Sequence, residues 1–176
     1  MNLKTETGVT KWNEKMIERA KSIVRKGEPL HPVLFLKKGG DIGVIPLGRF
    51  SQDKEVLSTL LRAVVGAVNP DEYLYLTEAY MKEIDTKDAS DSALGSLLVG
   101  GTLQVSQLPS AQEAITALYG DRKGEKLGVI VFRKRGKVVK FEPTRWLEGD
   151  ELRGRFTGLR GRESEIPPES SYETDL

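Results

Sequence analysis

One carboxylate stands out in this sequence because it lies inside the most strand-like segment. The segment "DEYLYLTEAYMKEID" runs from Asp71 to Asp85, and one of its two apolar faces carries Glu78 between Leu76 and Tyr80. Neither face is polar throughout, which is typical of a central strand that is covered on both sides. A buried carboxylate without a partner is costly. Glu78 is therefore either part of a structural ion pair or a functional group, as a general base or a metal ligand.

A basic stretch carries a second kind of chemistry. Lysine and arginine crowd residues 133–140, arginine recurs up to residue 162, and Trp146 and Phe156 are interleaved. Basic side chains neutralise phosphates, and aromatic rings stack on unpaired bases. The candidate nucleic-acid contacts are Arg133, Lys134, Arg135, Lys137, Arg153 and Arg155. The segment "RGRFTGLRGR" also resembles a flexible arginine-glycine arm. The alternative interpretation of the basic hairpin is a solvated edge, because a tip rich in lysine and arginine discourages aggregation.

The sequence lacks the motifs of several common catalytic, metal-binding and phosphate-binding sites. The chain has no cysteine, which excludes a disulfide framework, a thiolate nucleophile and a zinc-thiolate site. The segment "GDRKGEKLG" lacks the GK[ST] ending of a phosphate-binding loop, and no GxSxG, HExxH or DxDxDG pattern occurs. We therefore expect no metal and no cofactor, and we assign no catalytic residue.

The elements that position these residues follow from periodicity and turn residues. Residues 10–27 and 51–69 have apolar positions at helical spacing, and Ser51 is the expected cap of the second helix. Residues 33–47 form a predicted hairpin that turns at Gly39-Gly40-Asp41. The strand that holds Glu78 comes next, and residues 86–110 are a predicted long loop.

Three more strands are predicted after the loop, and the last two are joined by a tight turn at Arg135-Gly136. Residues 144–162 are interpreted as a loosely packed extension. The order of elements predicts an α+β fold, with a mostly antiparallel sheet of about six strands and two amphipathic helices on one face.

About a third of the chain resembles a family of short uncharacterised microbial and phage proteins. The resemblance rests on "YLYLTEAYM" and on "QEAITALYGDRKGEKLGVIVFRKRGKVVKFEP". The family pattern is an "EAW"- or "EAY"-like strand, then "REAL" leading to a turn with glycine, then a strand that ends in arginine. The matching positions are Glu78, Ala79, Tyr80, Glu113, Ala114, Ile115 and Arg133. Gln112 replaces the expected charged residue, and the intervening loop is long. The resemblance implies related folds and no mechanism.

The resemblance implies a polar cluster of Glu78, Glu113 and Arg133 on three strands of one sheet. If these strands are neighbours, the arginine can bridge both carboxylates through charge-assisted hydrogen bonds. Such a cluster is either a structural ion-pair network or a functional site. Two acids without a converging histidine or cysteine provide little catalytic chemistry.

Composition and charge define the domain organisation. A chain of 176 residues, 38% apolar and 30% charged, is expected to form one α+β domain at residues 1–162. Residues 163–176 carry five acidic residues and no basic one, which predicts a disordered acidic tail. The tail is interpreted as a solubilising end or as a screen for the basic stretch. No apolar run approaches the ~20 residues of a membrane span. The absence of cysteine fits a reducing cytoplasm, so we expect a cytoplasmic protein.

These observations predict a non-enzymatic protein-interaction or regulatory module with an unknown protein partner. Nucleic-acid binding through residues 133–162 is the alternative. A hydrolase-type enzyme centred on Glu78 and Glu113 is a second alternative.

Overall fold

The computed structural model describes residues 9–81, 111–149 and 156–160. The helices are α1 (Lys11–Arg25) and α2 (Lys54–Val68). The strands are β1 (Val33–Lys38), β2 (Asp41–Pro46), β3 (Glu72–Met81), β4 (Gln112–Asp121), β5 (Gly124–Arg135), β6 (Val138–Phe141) and β7 (Arg145–Glu148). The predicted loop at 86–110 and the predicted disordered tail at 163–176 lie outside the described residues. In the part of the chain described, no helix is long and apolar enough to cross a membrane.

All the strands belong to one antiparallel sheet, in the order β2-β1-β3-β4-β5-β6, with β7 also paired to β5. Phe132 of β5 pairs with Phe141, whereas Val129 pairs with Arg145, so the register shifts by one residue between β6 and β7. Pro143 lies in this interval and has no N–H to give to the ladder, which fits a bulge that divides one long strand into two. The sheet curls into a half-barrel, and the predicted α+β class is confirmed.

The two helices lie on opposite faces of the sheet, which corrects the expectation that both share one face. Leu74 and Leu76 of β3 belong to the core that contains the buried residues of α1. Tyr73 and Tyr75 belong to the core that contains the buried residues of α2. Successive side chains of a strand point to opposite faces, so a strand that is apolar on both faces needs cover on both. We refer to these as the α1 face and the α2 face.

Polar side chains set the ends of α2. The cap is Asp53 instead of the expected Ser51, and its carboxylate accepts hydrogen bonds from the N–H groups of Glu55 and Val56, both at 3.1 Å. Asn69 ends the helix in the left-handed conformation, with φ of 47°. Asparagine adopts this conformation more readily than most residues, which explains why the helix stops there.

Residues 156–160 form a strap that is docked on the α2 face, which corrects the expectation of a loosely packed extension for this part. Leu159 is 2% exposed in the α2 core. The carboxylate of Glu125 accepts hydrogen bonds from the N–H of Gly158 at 2.5 Å and of Leu159 at 3.2 Å. Arg160 donates to Asn69 Oδ1 at 2.8 Å. These contacts tie the strap to β5 and to the end of α2.

Candidate functional site

Glu78 lies near the carboxyl end of β3, on the α1 face. It continues the row of Leu74 and Leu76, but its side chain is only half-buried. Its carboxylate accepts a hydrogen bond from the backbone N–H of Leu30 at 3.1 Å. Within the described residues this is the contact that holds the carboxylate. Glu78 therefore fastens the segment before β1 to the end of β3.

The structure brings Glu113 close to Glu78 and does not bring Arg133 to either of them. Ile115 pairs with Glu78 and Tyr80 pairs with Glu113, so the two acids are diagonal neighbours on the α1 face, with Cα atoms roughly 7–8 Å apart. Arg133 has the opposite parity to the α1-core residues of β5 and lies on the α2 face, where it pairs with Glu142 at 3.6 Å. The predicted bridge of one arginine between two carboxylates is replaced by separate, exposed ion pairs.

The candidate nucleic-acid contacts that the structure describes lie at one end of the sheet. Arg133, Lys134 and Arg135 end β5, and Lys137 lies in the two-residue turn to β6; all four are exposed. Lys134 is 3.9 Å from Glu113. The other two candidates, Arg153 and Arg155, lie outside the described residues.

The aromatic residues expected to stack on bases are packed inwards instead. The ring of Trp146 lies across Gly128, where an added Cβ would meet it at 3.0 Å. Phe156 packs against Tyr75, with ring centroids 5.8 Å apart. Both side chains are only partly exposed. The structure does not place them beside the basic residues as stacking platforms.

The buried charged residue of β3 is Glu72, which the sequence did not single out. It is 8% exposed. Its carboxylate accepts hydrogen bonds from Tyr119 Oη at 2.7 Å and Trp12 Nε1 at 3.4 Å, and it lies 3.5 Å from Lys37 Nζ. Burial, followed by the hydrogen bond to this carboxylate, raises the pKa of Tyr119 above its ordinary value. Glu72 and Leu74 are two residues apart in β3, so their side chains point to the same face. This spacing was the signal in the sequence that Glu72 lies on a covered face.

A cleft of about 230 Å³ opens beside Glu72. It is lined by Thr10, Asp71, Glu72, Tyr119, Asp121, Arg122 and Lys123. Asp71 accepts from Gly39 N at 2.8 Å and pairs with Arg122 at 3.3 Å, and these contacts lower its pKa. Asp121 accepts two backbone N–H groups of the turn that follows it. All three carboxylates of the cleft already hold donors of the protein, so their arrangement is that of a structural hydrogen-bond network.

The outer edge of the sheet at β2 carries exposed apolar side chains. Ile42 is 48% and Val44 is 55% exposed, and both lie on the α1 face opposite Lys37 and Phe35. The strand is exposed along most of its length, and among the described strands it pairs only with β1. The apolar type of these residues was visible in the sequence, but their position at an edge was not.

No group of three or more histidine, cysteine, aspartate or glutamate side chains that could hold a metal occurs in residues 9–81, 111–149 or 156–160. No family model, no curated protein and no solved structure matches this chain. The resemblance built on the strands of Glu78 and Glu113 therefore stays a prediction.

Proposed function

We propose that this chain is a non-enzymatic, cytoplasmic protein-interaction module, and that its interaction surface is the outer edge of β2, which no other described strand covers. The partner strand that fits this edge is β2 of a second copy of the chain. The observation that supports the proposal is the exposure of Ile42 and Val44 on an edge strand, where apolar side chains and unpaired backbone groups occur together.

The hydrogen-bond phase of the β1–β2 ladder determines which backbone groups of β2 point outwards. Leu47 N donates to Pro32 O at 2.8 Å, so this pair is a hydrogen-bonded one. Hydrogen-bonded and non-hydrogen-bonded pairs alternate along an antiparallel ladder. The pairs of Ile42 with Lys37 and of Val44 with Phe35 are consequently non-hydrogen-bonded. The N–H and C=O groups of Ile42 and Val44 therefore point away from β1.

These outward groups are self-complementary about Gly43. When two copies of β2 run antiparallel around a two-fold axis at Gly43, Ile42 of each copy lies opposite Val44 of the other. Each such pair exchanges two backbone hydrogen bonds, and the apolar side chains come together on one face. Gly43 presents no side chain at the axis. The same patch thus serves both copies, as a two-fold interface requires.

The proposal is tested by measuring the oligomeric state of two variants, at Val44 and at Val138, whose side chains are similarly exposed. Sedimentation equilibrium of the parent should show a monomer–dimer equilibrium, and Val44→Lys should shift it to monomer by at least tenfold in the dissociation constant. Val138→Lys is the control, because Val138 is 59% exposed on a different strand. It should leave the equilibrium unchanged. A parent that stays monomeric at high concentration, or equal effects of both variants, would contradict the proposal.

A single cysteine tests the register of the paired strands. The chain contains no cysteine, so Gly43→Cys introduces a unique thiol. Across the two-fold axis this position forms a non-hydrogen-bonded pair with Cα atoms about 4.5 Å apart, within the range of a disulfide. Mild oxidation should give a covalent dimer in high yield. Gly66→Cys, at an open position of α2, is the control and should remain largely monomeric.

Nucleic-acid binding is a second proposal, and the exposed basic end of β5 supports it. The hydrolase-type activity centred on Glu78 and Glu113 stays a prediction. Their diagonal placement on the α1 face is compatible with it, but Glu78 is bonded to Leu30 N and Glu113 lies 3.9 Å from Lys134. Both contacts are sufficiently explained by a structural role.

A further inference from the structure

We propose that the β5–β6 hairpin is a DNA-binding arm that enters the major groove of duplex DNA. The arm consists of residues 132–141 and is called the basic ribbon. In the described structure, pairing of β5 with β4 ends at Val131 and pairing with β7 ends at Val129. From Phe132 to Arg135 the ladder pairs of β5 are with β6. Among the described residues the ribbon is therefore a two-stranded extension of the sheet, and it is separate from the β2 edge.

The charge of the ribbon matches a polyanion. Five of its ten residues are basic and none is acidic. The basic residues are Arg133, Lys134, Arg135, Lys137 and Lys140, all of them exposed. Arg133, Arg135 and Lys140 share the α2 face, Lys134 lies on the α1 face, and Lys137 lies in the turn beside Gly136, whose φ is 60°. Positive charge thus surrounds the tip, as contact with the phosphates on both sides of a groove requires.

The acidic neighbours of the ribbon are loosely bound. The pair of Arg133 with Glu142 spans 3.6 Å, with side chains 63% and 51% exposed. The pair of Lys134 with Glu113 spans 3.9 Å, with side chains 45% and 39% exposed. Exposed pairs contribute little to stability, so both cations can exchange their carboxylate for a phosphate at low cost.

The placement of the aromatic residues favours a duplex over a single strand. Binding of single strands relies on rings that stack on bases. The rings of the ribbon itself, Phe132 and Phe141, face the α1 core and pack against each other at 5.9 Å. Arg25 of α1 lies over Phe141 at 4.9 Å. Trp146 and Phe156 are packed inwards as well. What the ribbon presents to a ligand is charge on a narrow backbone, without an aromatic surface.

The shape of the ribbon selects among duplexes. Paired strands lie about 4.8 Å apart, and the major groove of B-form DNA, about 12 Å wide, admits a two-stranded ribbon. The major groove of A-form RNA is too deep and narrow for side chains to read. We therefore expect duplex DNA to bind more tightly than duplex RNA of the same sequence.

Fluorescence anisotropy of the full chain tests the proposal with three labelled probes of about 20 nucleotides per strand, namely duplex DNA, duplex RNA and single-stranded DNA. Duplex DNA should bind most tightly. With four phosphates neutralised, its affinity should fall roughly 100-fold between about 50 mM and about 200 mM salt. The absence of duplex binding at the lower salt, or tighter binding of the single strand, would overturn the proposal.

Charge reversal locates the binding surface. The combined variant Arg133→Glu, Arg135→Glu and Lys137→Glu should weaken binding of duplex DNA well over tenfold and reduce its salt dependence. The charge-matched control reverses Lys11, Lys15 and Lys54, which are exposed near the amino ends of the two helices, where glutamate is tolerated. The control should lose less than threefold, and equal losses would show binding by overall charge alone. Circular dichroism confirms that both proteins are folded.

Discussion

Replacing Glu72 by alanine should destabilise the fold more than any other single carboxylate change that we consider. The side chain is 11% exposed, and its carboxylate accepts hydrogen bonds from Tyr119 and Trp12. It also neutralises Lys37, whose side chain is 14% exposed, at 3.5 Å. In the alanine variant these three partners lose their common acceptor, and two of them stay largely buried.

The loss of unfolding free energy in Glu72→Ala depends on the buried partners that remain without an acceptor. Breaking a buried ion pair by removing one partner costs about 3–5 kcal/mol, because the remaining charge is buried without compensation. Lys37 keeps some access to water, which places the expected loss for Glu72→Ala near the lower end, at about 3 kcal/mol. For a chain of this size that loss lowers the Tm by roughly 6–12 °C. Glu72→Gln keeps an acceptor for Tyr119 but leaves the charge of Lys37 uncompensated, so it should still lose about 2–3 kcal/mol.

Urea denaturation followed by circular dichroism measures these differences. The double variant Glu72→Leu with Lys37→Met should recover most of the loss, since it removes both charges together. Glu148→Ala is the exposed control: its carboxylate is 59% exposed and pairs with Lys126, so the expected loss is at most about 1 kcal/mol. Glu78→Ala should lose only about 1 kcal/mol, because its carboxylate is half-buried and holds one N–H. A Glu72→Ala protein as stable as Glu148→Ala would refute this reasoning.

Two further predictions concern the tyrosines and glycines of the sheet. Burial raises the pKa of Tyr73 and Tyr119, and raises that of Tyr75 to about 12 from an ordinary 10.0. Because the folded-state pKa is higher than the unfolded-state pKa, the free energy of unfolding keeps its full value below pH 10. It falls as the pH rises towards 12, by up to about 1.4 kcal/mol per pH unit for each tyrosine. Absorbance of tyrosinate should show these rings ionising only as the chain unfolds; ionisation in the folded chain near pH 10 would contradict this. A Cβ at Gly120 would overlap the buried Tyr73 ring, whereas at Gly128 it meets a partly exposed indole at 3.0 Å. Gly120→Ala should therefore lose about 3 kcal/mol and Gly128→Ala at most about 1 kcal/mol in urea denaturation, and equal losses would count against this packing.

Local patterns in the sequence predicted the elements well. Apolar spacing located both helices, and glycine located the tight turns after Lys38 and Arg135. Two apolar faces identified β3 as a central strand, which is confirmed by its pairing with β1 and β4. The same two faces also required cover on both sides, yet the order of elements was interpreted as two helices on one face. Leu74 and Tyr73 are adjacent apolar residues of β3 and point to opposite faces, which already indicated one helix on each face.

The polar residues of β3 show where prediction from the sequence stopped. Glu72 and Glu78 have the same parity and lie on the same face of one strand, so periodicity cannot distinguish them. Their environments differ because Lys37, Tyr119 and Trp12, from three other elements, converge on the first and not on the second. Arg133 was expected to meet Glu78, which lies on the α1 face. Arg133 directly follows Phe132, whose side chain is on the α1 face, so the side chain of Arg133 points to the α2 face.

The sequence by itself determined the type and length of most elements, because helix and strand periodicity reflect which side chains of a segment are apolar. Only the tertiary structure decided which carboxylate is buried, that residues 156–160 dock against Glu125, and that Ile42 and Val44 lie at an edge. These properties depend on pairing between segments far apart in the chain. The register between two strands sets which side chains face each other, and a shift of one residue moves every side chain to the opposite face.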